Sequence, residues 1–155
     1  MKVSPVSNEL VLSGQEILGL LKDVQNRGGS LRLTAKGDSM KPTIRNGDTI
    51  SIAPVPVHGV GKGDIVLFRK WEKTQITVHR IININGRNYL VRGDNAEEDD
   101  GWISDEMIKG VVTGLDRKGK ILSIPGRRYF IFYKSYLYMR KKVVRLVWYL
   151  KGKKG

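Results

Sequence analysis

Gly37-Asp38-Ser39-Met40-Lys41-Pro42-Thr43-Ile44 lies between two alternating runs, Leu31-Arg32-Leu33-Thr34 and Thr49-Ile50-Ser51-Ile52. Alternation with a period of two marks a strand with one buried face. The quoted residues therefore read as a connection between strands, with Ser39 set between the first strand and a turn that Pro42 restricts. Gly47-Asp48 closes that connection.

The β pattern continues outward from there. Pro54 and Pro56 end the second strand or confine it to an edge. Asp64-Ile65-Val66-Leu67-Phe68 has the length and composition of a buried strand. The runs Ile76 to Ile84 and Asn88 to Val91 flank Asn85-Gly86, a strong hairpin signal. Ile108 to Leu115 and Lys120 to Ile124 close the β region. Many short strands with Gly-rich turns predict a mostly β fold, a coiled and partly closed antiparallel sheet. Ahead of it, residues 13–27 read as a short helix. Ser13 and Glu16 fit a capping box, Ile17, Leu20, Leu21 and Val24 form an apolar stripe, and Gly28-Gly29 stops it.

At 155 residues the chain has the size of one domain. It has no cysteine and two histidines, which excludes disulfides and thiolate metal sites and argues against a multi-histidine metal site. No cofactor is implied. No apolar run reaches the roughly 18 residues of a spanning helix. The N-terminal residues lack the continuous apolar core of a secretory signal, so a cytoplasmic protein, soluble or peripheral to the membrane, is expected.

The formal charge of +13 is unevenly spread. All fifteen acidic residues precede Arg127, whereas residues 127–155 carry ten Lys or Arg and no acid. A division into a catalytic region, 1–126, and a basic aromatic tail, 127–155, follows. In the tail, Val143, Val144, Leu146, Val147 and Leu150 form an apolar side ringed by Arg140, Lys141, Lys142 and Arg145. A basic amphipathic helix of this kind suits an anionic membrane surface, although a helix docked on the domain or on a partner subunit has the same pattern. The tail lacks Gly/Arg or helix-turn-helix patterning, which speaks against nucleic acid as the partner.

Three groups in the β region could cooperate chemically. A serine hydroxyl becomes a nucleophile when a neighbouring base takes its proton and backbone N–H groups stabilise the oxyanion. Gly37, lacking a Cβ, allows a substrate carbonyl to approach Ser39 closely. His79, in Thr77-Val78-His79-Arg80-Ile81, is the candidate base, because an unperturbed imidazole titrates near neutrality. His58, in Pro56-Val57-His58-Gly59, reads as a loop residue. A carboxylate beside His79 would fix its tautomer, and Asp94 and Asp100 in Arg92-Gly93-Asp94-Asn95 to Asp99-Asp100 are the candidates. A histidine base would make activity fall below roughly pH 6.5.

The serine, histidine and acidic segments, in this order, resemble the type I signal peptidases, and specifically their endoplasmic-reticulum-type branch, where a histidine stands in place of the bacterial lysine. The resemblance runs from about Gly37 to Gly114, roughly half the chain. It implies that Ser39 is the nucleophile, that the Ser39 amide helps form the oxyanion hole together with Gly37 and Met40, and that Asp100 is favoured as third member with Asp94 a second important carboxylate. The implied substrate is an extended precursor polypeptide with small residues before the scissile bond. Such peptidases usually carry an N-terminal membrane anchor, and this chain departs from them there. The self-cleaving repressors share the fold with a Ser–Lys dyad, but His79 stands where their lysine aligns, and Lys70 and Lys73 fall in the preceding turn. Those repressors also need a DNA-binding module, which the residues before Ser39 are too few to form. A non-catalytic binding module on the same fold, holding a membrane or partner through the tail, is the alternative.

Overall fold

A computed structural model describes residues 12–70 and 75–124 and four isolated helical positions, Met139, Lys142, Val143 and Tyr149. Helix α1 (Gly14–Asn26) precedes strands β1 (Leu31–Thr34), β2 (Thr49–Ala53), β3 (Ile65–Phe68), β4 (Thr77–Asn85), β5 (Asn88–Arg92), β6 (Gly101–Ser104), β7 (Ile108–Arg117) and β8 (Lys120–Leu122). A single 3-10 turn, Asp105–Met107, separates β6 from β7. The expected C-terminal amphipathic helix lies outside the described residues, apart from those four positions.

All strand pairs are antiparallel, in the order β1-β2-β7-β3-β4-β5-β6, with β8 paired to β7. β7 is the spine. Val111 pairs with Ala53 on one side and Val66 on the other, and Leu115 likewise lies between Ile50 and Leu122. β2 therefore takes one edge of β7, while β3 and β8 share the other. The end strands β1 and β6 do not pair with each other, so among the described residues the sheet is open and the expected partial closure is absent. Both ends are short, four residues each. The register shifts, which leave Thr113 and Lys109 of β7 and Ile82 of β4 as extra residues, bend the sheet without bringing its ends together.

Each sheet face carries its own core. Alternation puts Ile50, Ile52, Ile65, Leu67, Val112 and Leu115 into one cluster, joined by Leu21 of α1 and by Met40 and Ile44 of the serine loop. Val66, Phe68, Ile81, Val91, Ile103, Ile108 and Val111 form the other. β3 contributes to both and is buried at every position, as its unbroken apolar run predicts. The capping box forms as expected. Ser13 Oγ accepts from the Glu16 amide at 3.3 Å, and Glu16 Oε2 accepts from the Ser13 amide at 2.7 Å. The Ser13 hydroxyl, which donates to Glu16 Oε2 at 2.7 Å, and then the Ser13 amide hold the Glu16 carboxyl below its ordinary range. The buried stripe differs from the expected one. Leu21 is its centre, with burial worth about 1.5–3 kcal/mol, and Leu18 packs beside it, whereas Leu20 is 42 % exposed. Gln25, one turn on from Leu21, uses its amide nitrogen to bond the Lys109 carbonyl at 3.0 Å. The buried face is thus turned away from Leu20, towards Leu18 and Gln25.

Candidate active site

The serine loop is closed at its base. The Ala35 amide donates to the Asp48 carbonyl at 2.8 Å, and the Gly47 amide donates to the Ala35 carbonyl at 2.9 Å, extending the β1–β2 pairing to both ends of residues 36–46. Gly37 has φ +88°, a left-handed conformation that only glycine takes cheaply. Its amide donates to Asn46 Oδ1 at 3.0 Å across the loop, so it does not point into the site. Met40 and Ile44 anchor the turn from below, at 5 % and 3 % exposure, and the Ile44 amide bonds the Met40 carbonyl at 3.0 Å. The Met40 side chain is thus core. Ser39 remains exposed on top. Among the described residues, the Ser39 and Met40 amides make no hydrogen bond.

His79 faces Ser39 from β4. Its register partner is Val66, and its ring lies 6.4 Å from that of Phe68, so it belongs to the second core face and is 8 % exposed. His79 Nε2 is 2.9 Å from Ser39 Oγ, and His79 Nδ1 bonds Asp100 Oδ2. With the proton on Nδ1 and donated to the carboxylate, Nε2 is an acceptor for the serine hydroxyl. The order Ser39, His79, Asp100 is thus a continuous hydrogen-bonded line, from an exposed hydroxyl through a buried ring to a carboxylate that is 29 % exposed. The Asp100 amide donates to the Val91 carbonyl at 2.9 Å, which fixes the start of β6 against β5. Lys70, in the connection before β4, is half-buried and donates to the Asp100 carbonyl oxygen. Lys73 lies outside the described residues, and His58 is an exposed loop residue, as its setting predicts.

Asp94 is brought elsewhere. Its carboxylate receives Arg80 Nε at 2.8 Å and Nη2 at 2.7 Å, and it accepts the Thr43 hydroxyl at 2.6 Å. Arg80 is 1 % exposed and also donates to the Gly63 carbonyl at 2.7 Å. Of the two carboxylates left open by the sequence, Asp100 meets the imidazole and Asp94 forms a buried ion pair behind it. That pair lies next in sequence to the site on both sides. Arg80 follows His79, and Asn95, which follows Asp94, donates its amide to the Ser39 carbonyl at 2.7 Å. Sequence reasoning passed over Arg80, Thr43 and Gly93. For Arg80 the available signal was its place two residues from Val78, on the same face of an alternating strand.

Among the described residues there is no group of three or more His, Cys, Asp or Glu that could hold a metal ion. No helix among them is long and apolar enough to cross a membrane. No curated protein matches the chain. Residues 7–113 match the Peptidase S24-like family, a span that contains the serine loop, His79, Asp94 and Asp100. The chain belongs to the Peptidase S24-like family, serine-type peptidases.

Proposed function

We propose that the chain is a serine endopeptidase of the signal peptidase kind, cleaving a precursor or leader peptide after small residues through an acyl-enzyme. The observation that carries this reading is the Ser39 Oγ to His79 Nε2 distance of 2.9 Å, with Nδ1 of the same ring on Asp100. Ser39 Oγ attacks the scissile carbonyl carbon while its proton passes to His79 Nε2. The Ser39 and Met40 amides stabilise the resulting oxyanion. Collapse expels the amine, which takes the proton from His79, and leaves an ester on Ser39. Water then attacks that ester, giving its proton to His79, and the acid product and free serine are restored. Asp100 holds the ring in the acceptor tautomer throughout. A histidine rather than a lysine base supports the endoplasmic-reticulum-type branch. The tail, 127–155, would hold the enzyme on an anionic membrane surface near its substrate.

The test is cleavage of a precursor bearing an Ala-x-Ala site by the purified chain with liposomes. Ser39→Ala and His79→Ala should abolish a defined cut while leaving the fold intact. A parent as inert as Ser39→Ala on a panel of such precursors would replace this reading with the binding module.

A further inference from the structure

The exposed half of the serine turn has little packing to hold it. Ser39, Lys41, Pro42, Arg45 and Asn46 are all exposed, so its orientation depends on polar anchors. Thr43 is where they meet. Its hydroxyl is tied to the Asp94–Arg80 pair, as described above. Its carbonyl oxygen accepts from Arg117 Nη2 at 3.0 Å. That same nitrogen donates to Asp48 Oδ2 at 2.7 Å, while Arg117 Nε lies 2.9 Å from Asp48 Oδ1. Asp48 Oδ2 in turn accepts the Arg45 amide at 2.8 Å. Two ion pairs, rooted in β4–β5 and in β7, therefore grip one residue of the turn from opposite ends.

We infer that Arg117 and Asp48 are positioning residues for the proposed chemistry, setting the place of Ser39 Oγ relative to His79 through the Thr43 carbonyl. Arg117 lies beyond residues 7–113, so the family match does not assign it. The role calls for arginine. One guanidinium fork closes on Asp48 while a second hydrogen of the same nitrogen reaches Thr43, which an ammonium cannot reproduce with the same geometry. Asp48 has a side-chain exposure of only 5 % and Arg117 of 24 %, so water competes weakly for these bonds. The guanidinium beside it holds the Asp48 carboxyl below its ordinary range, and the pair stays ionised at neutral pH.

The inference rests on the proposed function but is tested separately from it. Arg117→Met and Arg117→Lys, made in the full chain, are assayed well below their melting temperatures, alongside imidazole NMR of the two histidines. Arg117→Met should lower kcat between about tenfold and a hundredfold, the range that a displaced nucleophile gives, with KM within about twofold of the parent. Arg117→Lys should be intermediate. The His79 ring resonances of Arg117→Met should move towards those of Ser39→Ala, with those of exposed His58 unchanged. Parent-like kcat together with parent-like His79 resonances would overturn the inference. Should Arg117→Met not fold, Asp48→Asn takes its place, with the same two outcomes. Should the parent cut no precursor, the proposed function fails, and the His79 resonances alone decide the positioning role.

Discussion

Gly93 stands against Ser39 with no room for a side chain. A Cβ at position 93 would lie 2.7 Å from the Ser39 carbonyl oxygen, 3.2 Å from Ser39 Cβ and 3.0 Å from His79 Nε2. The end of β5 thus fits into the angle between the serine turn and the imidazole, and the Ser39–His79 hydrogen bond closes over it. Neither the serine carbonyl nor the ring can retreat freely, because Asn95 holds the former and the β3–β4 ladder holds the strand that bears the latter.

Gly93→Ala is therefore expected to abolish activity by prising the hydroxyl from Nε2. A displacement of about 1 Å at a reacting atom can cost a hundredfold in rate. The measurement is kcat on a cleavable precursor, with a thermal melt to confirm folding. Activity within threefold of the parent would show that the turn and ring can both yield, contrary to the packing described.

The two carboxylates are expected to fail in opposite ways. Asp94→Ala removes the carboxylate that accepts both Nε and Nη2 of Arg80, a cation whose side chain is 1 % exposed. Such a loss costs about 3–5 kcal/mol, and denaturant unfolding should report it. Asp100→Asn removes a carboxylate that is 29 % exposed, so stability should change little. Its rate should fall by about a thousandfold to ten-thousandfold, as when the orienting acid of a serine triad becomes an amide. A stability loss as large in Asp100→Asn as in Asp94→Ala would contradict these assignments.

These contrasts mark what the sequence could and could not reveal. The strand alternation, the Asn85-Gly86 hairpin and the Ser13–Glu16 capping box are local signals, and each led to an element found in the structure. The Ser39, His79 and Asp100 constellation was legible because three separate motifs lay in a familiar order. β6 was missed, since its four residues, Gly101 to Ser104, include an exposed tryptophan and show no clear alternation. Arg80 was passed over because an arginine in an alternating strand ordinarily marks the solvent face. Its burial depends on Asp94, Gly63 and Thr43, which only the tertiary fold assembles. The Arg117–Asp48 pair spans most of the β region and leaves no local trace.

The same pair makes a prediction about acid. In the folded chain the Asp48 carboxyl lies below its ordinary value, chiefly through its bond to Arg117. Unfolded, it titrates near its ordinary value of about 3.9. The stabilisation is therefore fully present above that value and is lost as pH falls through the lower folded one. Urea unfolding between about pH 5 and pH 2 should show the parent losing stability more steeply than Arg117→Met, which has no such pair to lose. Equal slopes would mean that the pair contributes nothing to the pH dependence.

The tail gives the last test. Residues 127–155 supply ten cations and no acid, and near an anionic bilayer each cation contributes about 1 kcal/mol. Replacing Arg140, Lys141, Lys142 and Arg145 together by glutamine should then weaken binding to phosphatidylserine vesicles by up to about a thousandfold. The parent should also detach as salt approaches about 1 M, where the screening length shrinks to about 3 Å. Proteolysis of a soluble precursor, which needs no membrane attachment, should be unaffected by the four substitutions. Vesicle binding that survives both treatments would assign the attachment to apolar contact. Tighter binding to duplex DNA than to vesicles at the same salt would redirect the tail to nucleic acid.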